Sequence, residues 1–597
     1  MTQAVVPPQP DGPGGGDIPG AGSASVPGGP VGLVPPAFSE TCRLLCSGVY
    51  LDGAFRDRVI KELYDHDERI VAPSYGFDAA RVLAHALRAR RLELGWALLV
   101  LLLCIVAVPL TQGLLLMLIT PVVWLAIARR IRGTGRLKGR IGMARRFVAL
   151  VIRWYSRINL VLAVVFLVAL GLQSSSTLAG VTQVGNSMRV GDPSDIVGLG
   201  LLTGQGYGAA FSLLPVHAWI TLAIPFLLAW IVGLQRGQFA RVVAHELSRT
   251  RFRDFAADPA ERAEGVRFRR LRDRIRTEQH GPLVMYGEAD PFCGAGTPFK
   301  PWSLSVELRP RRDRKPEPVD NAAVLRRIHP LVEDLRVPSP QGSPEAAAAV
   351  RDRLRALELD ECVFLPVDGL PSRDAAPYAP DAVREHMDRA IEEGGETRRH
   401  FLRIRVGGWG EGLVVTVFVR VHTQGRMLVL EVVPHVLWPL WPQFVNADRI
   451  AHRHRHNSPF GKAVWALLHT PAALTGAVVT LGRGIGSVWG LSTEGNSGAL
   501  PDGPAFSVRE LASADDPSLF QEMDAERYLK SIQDRVAGGV RLALYDAGWQ
   551  TAAFEQQIVN VGSGGVFIGS AQGAVGVGNN NTITNNTTPE SGGSSAK

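Results

Sequence analysis

Residues 94–128 read LGWALLVLLLCIVAVPLTQGLLLMLITPVVWLAIA, a run without one charged side chain. A helix crosses a hydrocarbon core in about 20 residues, so the run is far too long for one crossing. PLTQG at 109–113 places a proline, which removes a backbone donor, near a glycine that tolerates left-handed backbone. The stretch therefore predicts a tight hairpin of two short spans, about 94–110 and 112–128.

Two further apolar runs lie downstream, about 154–173, with Arg153 and Arg157 at its start, and 209–234, closed by Arg236 and Arg241. Such arginines can lay their stems along lipid and keep the guanidinium at the headgroups. The basic residues then set the orientation. Arg81, Arg88, Arg90 and Arg91 precede the first span, and 129–146 holds eight Arg/Lys and no acid. The 173–208 connection has only Arg189, alongside Asp192 and Asp195. Basic residues stay on the cytoplasmic side, so the expectation is a multi-pass protein of the cell membrane with both termini cytoplasmic.

The net charge of +8 gathers beside these apolar runs, which favours the lipid bilayer as partner over nucleic acid. At membrane depth only His217 is an ionisable candidate, so an anchor or sensor is expected ahead of a transporter or channel subunit. Five cysteines, an odd number with no CxxC, indicate neither a disulfide framework nor a zinc site. Cys42 and Cys46 stand one helical turn apart. Residues 1–38 are rich in Pro and Gly and predict a disordered start without a signal peptide.

The expected organisation follows in order: 39–92 a cytoplasmic helical segment, 93–235 the membrane domain, 236–280 a charged helical connector, and 281–445 a cytoplasmic α+β domain with an antiparallel sheet. Inside that last domain LVMY and WSLSVEL predict strands, and helices are expected near 320–334, 344–358 and 379–393. Three more strands are expected at roughly 400–407, 412–422 and 426–434. Residues 446–550 read as amphipathic or helical, with an ordered helix near 519–537, and 551–597 as a Gly/Asn-rich tail. The segment 461–490 is apolar with basic flanks and no acid; Pro471 and scattered glycines favour a helix lying on the bilayer or the body over a further crossing.

A catalytic constellation is not recognised. Glu361, Glu411 and Glu431 stand apart, and GAG at 294–296 lacks the GK[ST] of a phosphate loop. His452, His454 and His456 alternate, which would put them on one side of an extended segment, but Arg453 and Arg455 oppose a metal there. No catalytic residue, cofactor or metal is assigned. A membrane-bound enzyme remains a second alternative to the interaction protein favoured here.

The loop and strand PFCGAGTPFKPWSLSVEL and the hairpin VVTVFVRVHTQGRMLVLEV resemble actinobacterial multi-span membrane proteins of unknown function, a resemblance that implies no activity. The tail carries a sharper pattern. VFIG at 566–569 and VGVG at 575–578 repeat V-x-[IV]-G, and NNNTITNN follows at 579–586. Alternating apolar side chains, little charge and stackable Asn suit pairing between identical chains. The tail resembles the short amyloid-signalling motifs of bacteria, similar to the homotypic interaction motif of receptor-interacting kinases. That motif's core maps onto Val566, Ile568 and Gly569 and onto Val575, Val577 and Gly578; Phe567 and Gly576 stand where Gln is usual, with Gln572 between the copies. The resemblance implies a self-assembly tail that includes Asn579, Asn580 and Asn581 and templates its own copies or proteins with a similar motif. The sequence thus points to a membrane-anchored interaction or signalling protein.

Overall fold

The computed structural model describes residues 35–132, 140–172, 215–262, 265–337, 357–393, 397–407, 412–493, 499–514 and 516–562, with the single positions 354 and 395. The ends expected to be disordered, the tail motif and most of the helix expected near 344–358 lie outside these residues.

The chain opens with α1 (Glu40–Leu51) and α2 (Gly53–Ile60), followed by four long helices: α3 (Ala79–Leu110), α4 (Leu114–Arg132), α5 (Arg140–Leu172) and α6 (Pro215–Arg241). The α3–α4 hairpin forms where the sequence places it. Gln112 and Gly113 adopt φ of 49° and 84°, and the buried Thr111 hydroxyl donates to the Ala107 carbonyl at 2.8 Å. Leu114 and Leu118 of α4 pack with Leu167 and Leu170 of α5 and Ala218 of α6, so the hairpin tip, the end of α5 and the start of α6 share one end of a bundle. At the other end α3 and α6 run on into the body. Helices long and apolar enough to cross a membrane are Ala79–Leu110, Ala144–Leu172, Pro215–Glu246 and Pro459–Gly486, with Leu114–Leu125 a shorter apolar helix.

The body continues with α7 (Val266–His280), β1 (Leu283–Tyr286), β2 (Thr297–Pro298), β3 (Trp302–Glu307), α8 (Asn321–Glu333), β4 (Glu358–Pro366), α9 (Pro380–Glu393), β5 (Arg399–Gly407), β6 (Val414–Gln424) and β7 (Met427–Leu437). Then come α10 (Ala447–His456), α11 (Pro459–Thr493), α12 (Leu519–Asp546) and α13 (Ala552–Gly562). The strand order is β1-β4-β5-β6-β7, with β2 and β3 both paired to β7. The sheet is mixed where an antiparallel one was expected, because β4, which ELDECVFLP forms without being foreseen, pairs parallel with β1. All other pairs are antiparallel.

Strand periodicity builds two different faces. Val415, Val417, Val419 and Val421 of β6 join Leu402, Ile404 and Val406 of β5 under α8 and α12. α12 starts at a capping box, Ser518 with Gln521, and presents Tyr528, Leu529, Ile532, Val536 and Val540 at helical spacing. Gly539 lets it close on α8, since a Cβ there would stand 2.7 Å from Ile328 Cα. The opposite face carries Phe364, Phe401 and Phe418 with Phe292 and Tyr75. A separate core joins α1, α2 and the first turns of α3 to Val242, Val243, Leu247, Phe252, Phe444 and Ala447. The folded body therefore includes 35–89 and 499–562 as well as the strands.

Candidate functional site

Two clusters of buried charge gather where the long helices enter the body. The first starts from helix ends that leave polar groups to satisfy. The α3 N-cap, Asp78, accepts from Ala80 N at 3.0 Å and from Gln279 Nε2 at 2.9 Å, and Arg276 Nε reaches its other oxygen at 3.0 Å. One turn on, the fully buried Arg81 donates to Asp258 at 2.8 Å and to the Ala37 and Phe252 carbonyls at 2.7 and 2.9 Å. Its guanidinium lies 3.6 Å from the centroid of the Phe252 ring. His85 Nε2 stands 3.1 Å from the same Asp258 oxygen, and His85 Nδ1 stands 3.3 Å from the Tyr50 hydroxyl. Burial alone would raise the Asp258 carboxyl, but hydrogen bonds and charge from His85 and Arg81 outweigh it and hold the group below the usual carboxylate range.

Next to this network Arg43 of α1, nearly fully buried, spans Glu40, Asp448 of α10 and the Leu247 carbonyl. Arg88 of α3 pairs with Glu246 just beyond α6, and Arg56 of α2 pairs with Glu93 of α3. Each cation has a carboxylate in reach, which is the condition for burying charge at all. The effect is mechanical. Elements separated by hundreds of residues are tied to the roots of α3 and α6.

The second cluster sits on the aromatic face of the sheet. Arg403 is bound to Asp360 across the β4–β5 pairing, and Arg405 reaches Glu358 at 2.9 Å and Asp360 at 3.2 Å. Both guanidiniums lie over the Tyr75 ring, 5.7 and 5.2 Å from its centroid. Burial would raise Asp360, but the hydrogen bond from Arg403 and the charges of Arg403 and Arg405 lower it below its ordinary value. Arg509, after α11, donates to the Tyr75 carbonyl at 2.9 Å and the Gly412 carbonyl at 2.6 Å; burial pulls its guanidinium down to about 10.

The neighbouring Glu510 accepts from Gly294 N at 2.7 Å and Gly296 N at 2.9 Å, with Ser507 N at 3.2 Å. GAG is thus a turn closed by the protein's own carboxylate. Gly294 and Gly296 adopt φ of 98° and 100°. A Cβ on Gly294 would meet the Pro73 carbonyl at 2.6 Å, and one on Gly296 would run into the Val436 carbonyl. Burial, together with Glu510 beside it, pushes the Cys293 thiol well up and keeps it protonated.

The sequence-derived candidates scatter. Val566, Ile568, Gly569, Gln572, Val575, Val577, Gly578, Asn579, Asn580 and Asn581 lie outside the described residues; α13, just before them, packs through Phe554 and Ile558 on the α12-covered side of the sheet. Glu361 stands 3.2 Å from His400, Glu431 stands 3.4 Å from Arg420, and Glu411 is outside the described residues. The three histidines are on a helix, not an extended segment. His452 and His456 rings lie 4.1 Å apart while His454 faces Trp465, and no group of three metal-ligating side chains occurs among the described residues. The arginine clusters were missed. The signal for the second is FLRIRV, where Phe401, Arg403 and Arg405 fall on one face of a strand and Leu402, Ile404 and Val406 on the other.

Neither a curated protein nor a solved structure matches the chain. Residues 301–575 match the family model of the AbeC-like domain. That span starts at the edge strand β3 and leaves out β1, β2 and the α1–α3 segment that share its cores. The matched span runs from β3 past the end of α13, so what it establishes is a similarity of this part of the chain to the AbeC-like domain.

Proposed function

We propose that the protein is a membrane-anchored interaction or signalling protein. The bundle holds it in the cell membrane, both termini are cytoplasmic, and the tail around Val566–Gly569 and Val575–Gly578 assembles with its own copies or with a like motif on a partner. The observation that carries this reading is the continuity of α3 and α6 from bundle into body, where Arg81–Asp258 and Arg88–Glu246 lock their roots. Rigid helices clamped in this way pass a displacement in the membrane to the sheet, and α13 hands the chain from that sheet to the tail. The apolar interior of the bundle, built from residues such as Ala97, Val100, Ile224 and Leu228, supports an anchor more than a conduit.

The test uses full-length protein in its native membrane, with and without residues 563–597, and with Ile568→Asp plus Val577→Asp. Clustering, read by single-particle fluorescence, is expected only with the intact tail, because stacked chains would bring the introduced carboxylates a strand's width apart. Clustering that survives both changes refutes the tail assignment. Sidedness is read separately. A membrane-impermeant maleimide should label Leu172→Cys in intact cells and Leu500→Cys only after lysis; the reverse refutes the orientation.

A further inference from the structure

α11 meets the criteria of length and apolarity for a crossing, yet its surroundings place both of its ends on the body side of the bundle. Before it, α10 is tied by Asp448 to Arg43 of α1. After it, Asp502 N donates to the Glu68 carbonyl, Ala505 N donates to Glu62 and Arg509 donates to the Tyr75 carbonyl. One folded body holds both flanks, so the helix between them cannot cross once.

The helix contacts agree. Arg88 pairs with Glu246 and Trp96 donates to Gln238 at 2.7 Å, which sets α3 and α6 antiparallel with residue 94 level with about residue 240. Ala466 lies against Gly233, and Trp465 lies under Arg236. At the other end Gly484 lies against Leu94, Thr480 stands 3.3 Å from Glu93, and Arg483 pairs with Asp57 at 2.7 Å. Positions 466 and 484 are roughly 27 Å apart along a helix, but their contacts differ by only about 10 Å along the bundle axis at 1.5 Å per residue. α11 therefore lies obliquely across the body-side half of α3 and α6.

Its outer face is apolar: Phe460 is 79% exposed, Leu468 70% and Ile485 69%, continuing the lipid-facing surface of the bundle. At the α10–α11 elbow, which carries Arg449, Arg453, Arg455 and Lys462, α10 packs against α6, the helix that carries Arg236 and Arg241. Asp448, on α10 itself, is engaged by Arg43, and none of these cations has a carboxylate partner among the described residues. Lys462 Nζ donates to the Arg455 carbonyl at 2.9 Å. An apolar helix face next to uncompensated cations is the composition of an interfacial membrane segment on anionic lipid.

We infer that α11 is an in-plane helix seated in the body-side leaflet, and that the cationic elbow before it binds anionic phospholipid headgroups. This rests on the reading of α3–α6 as the membrane-spanning bundle. Full-length protein is reconstituted in phosphatidylcholine vesicles with a minor share of phosphatidylglycerol. Ser458→Cys, Leu500→Cys and Leu172→Cys are labelled separately with an impermeant maleimide, with the native cysteines as background.

Ser458→Cys and Leu500→Cys should label from one side and Leu172→Cys from the other. Leu500→Cys labelling with Leu172→Cys while Ser458→Cys labels from the opposite side makes α11 a span and overturns the inference. Ser458→Cys labelling with Leu172→Cys instead sinks the spanning bundle itself. For the headgroups, energy transfer from a dye on Ser458→Cys to labelled phosphatidylglycerol should exceed that to labelled phosphatidylcholine. Each of Arg449, Arg453, Arg455 and Lys462 changed to Gln should reduce that preference by roughly fivefold or less, and added salt should weaken it. Equal transfer to both lipids overturns the headgroup assignment.

Discussion

In the bundle the large apolar side chains point outward. Ile105, Phe226 and Trp230 are each about two-thirds exposed, while Ala97, Val100 and Ala107 close the interior. In the body the order is inverted: Leu402, Ile404 and Val417 are sealed inside, and the buried arginines are held by carboxylates or, at Arg509, by backbone carbonyls. Lipid offers no hydrophobic gain for burying a leucine, so helices in it associate through small residues and close packing. Water does offer that gain. The arginine-rich junction sits where the two regimes meet, and there polar contacts, not apolar area, decide which elements hold together.

The comparison can be broken by moving a similar lesion between the regions, with unfolding of the full-length protein in detergent as the readout. Arg81→Ala leaves Asp258 buried without its main cation and should cost about 3–5 kcal/mol. Ile105→Ala removes a comparable volume from the lipid-facing side of α3 and should stay within about 0.5 kcal/mol. Equal losses would mean that the junction is not the clamp described.

Acid sharpens the contrast. His435 is buried on the aromatic face, its ring 4.8 Å from that of Phe292, and burial pushes it from its ordinary 6.5 down to about 4. The unfolded chain takes the proton first as pH falls, so the body should lose stability between pH 6.5 and 4, by about 3 kcal/mol. His435→Gln should flatten that slope. Asp258, held below its ordinary value, adds a further loss at lower pH because its stabilising charge is removed as it protonates. A smaller effect is expected from Gly539→Ala, which forces α12 away from Ile328 and should cost about 1–3 kcal/mol. Gly237→Ala, with nothing within 4 Å of its Cβ, should leave the melting curve nearly unchanged.

The α3–α4 hairpin, the long helices and the three strands from Arg399 to Leu437 were legible in the sequence, because length, charge-free runs and period-two alternation belong to a single segment. The strand β4 was not legible. ELDECVFLP alternates acids with apolar residues over only half its length, and it becomes a strand by lying between β1 and β5. The tail pattern was read from its own repeat, and its residues fall beyond those described.

The junction is the opposite case. Arg81 and Asp258 are 177 positions apart, and Arg509 is 434 positions from the Tyr75 carbonyl it binds. Taken alone, each looks like an ordinary surface charge. The seat of α11 is of the same kind. Its composition permits a crossing, and only the anchoring of both flanks in one body excludes it. Local patterns determine what a segment can form in water or lipid; which segments meet depends on burial shared across the whole chain, and only the tertiary structure decides that.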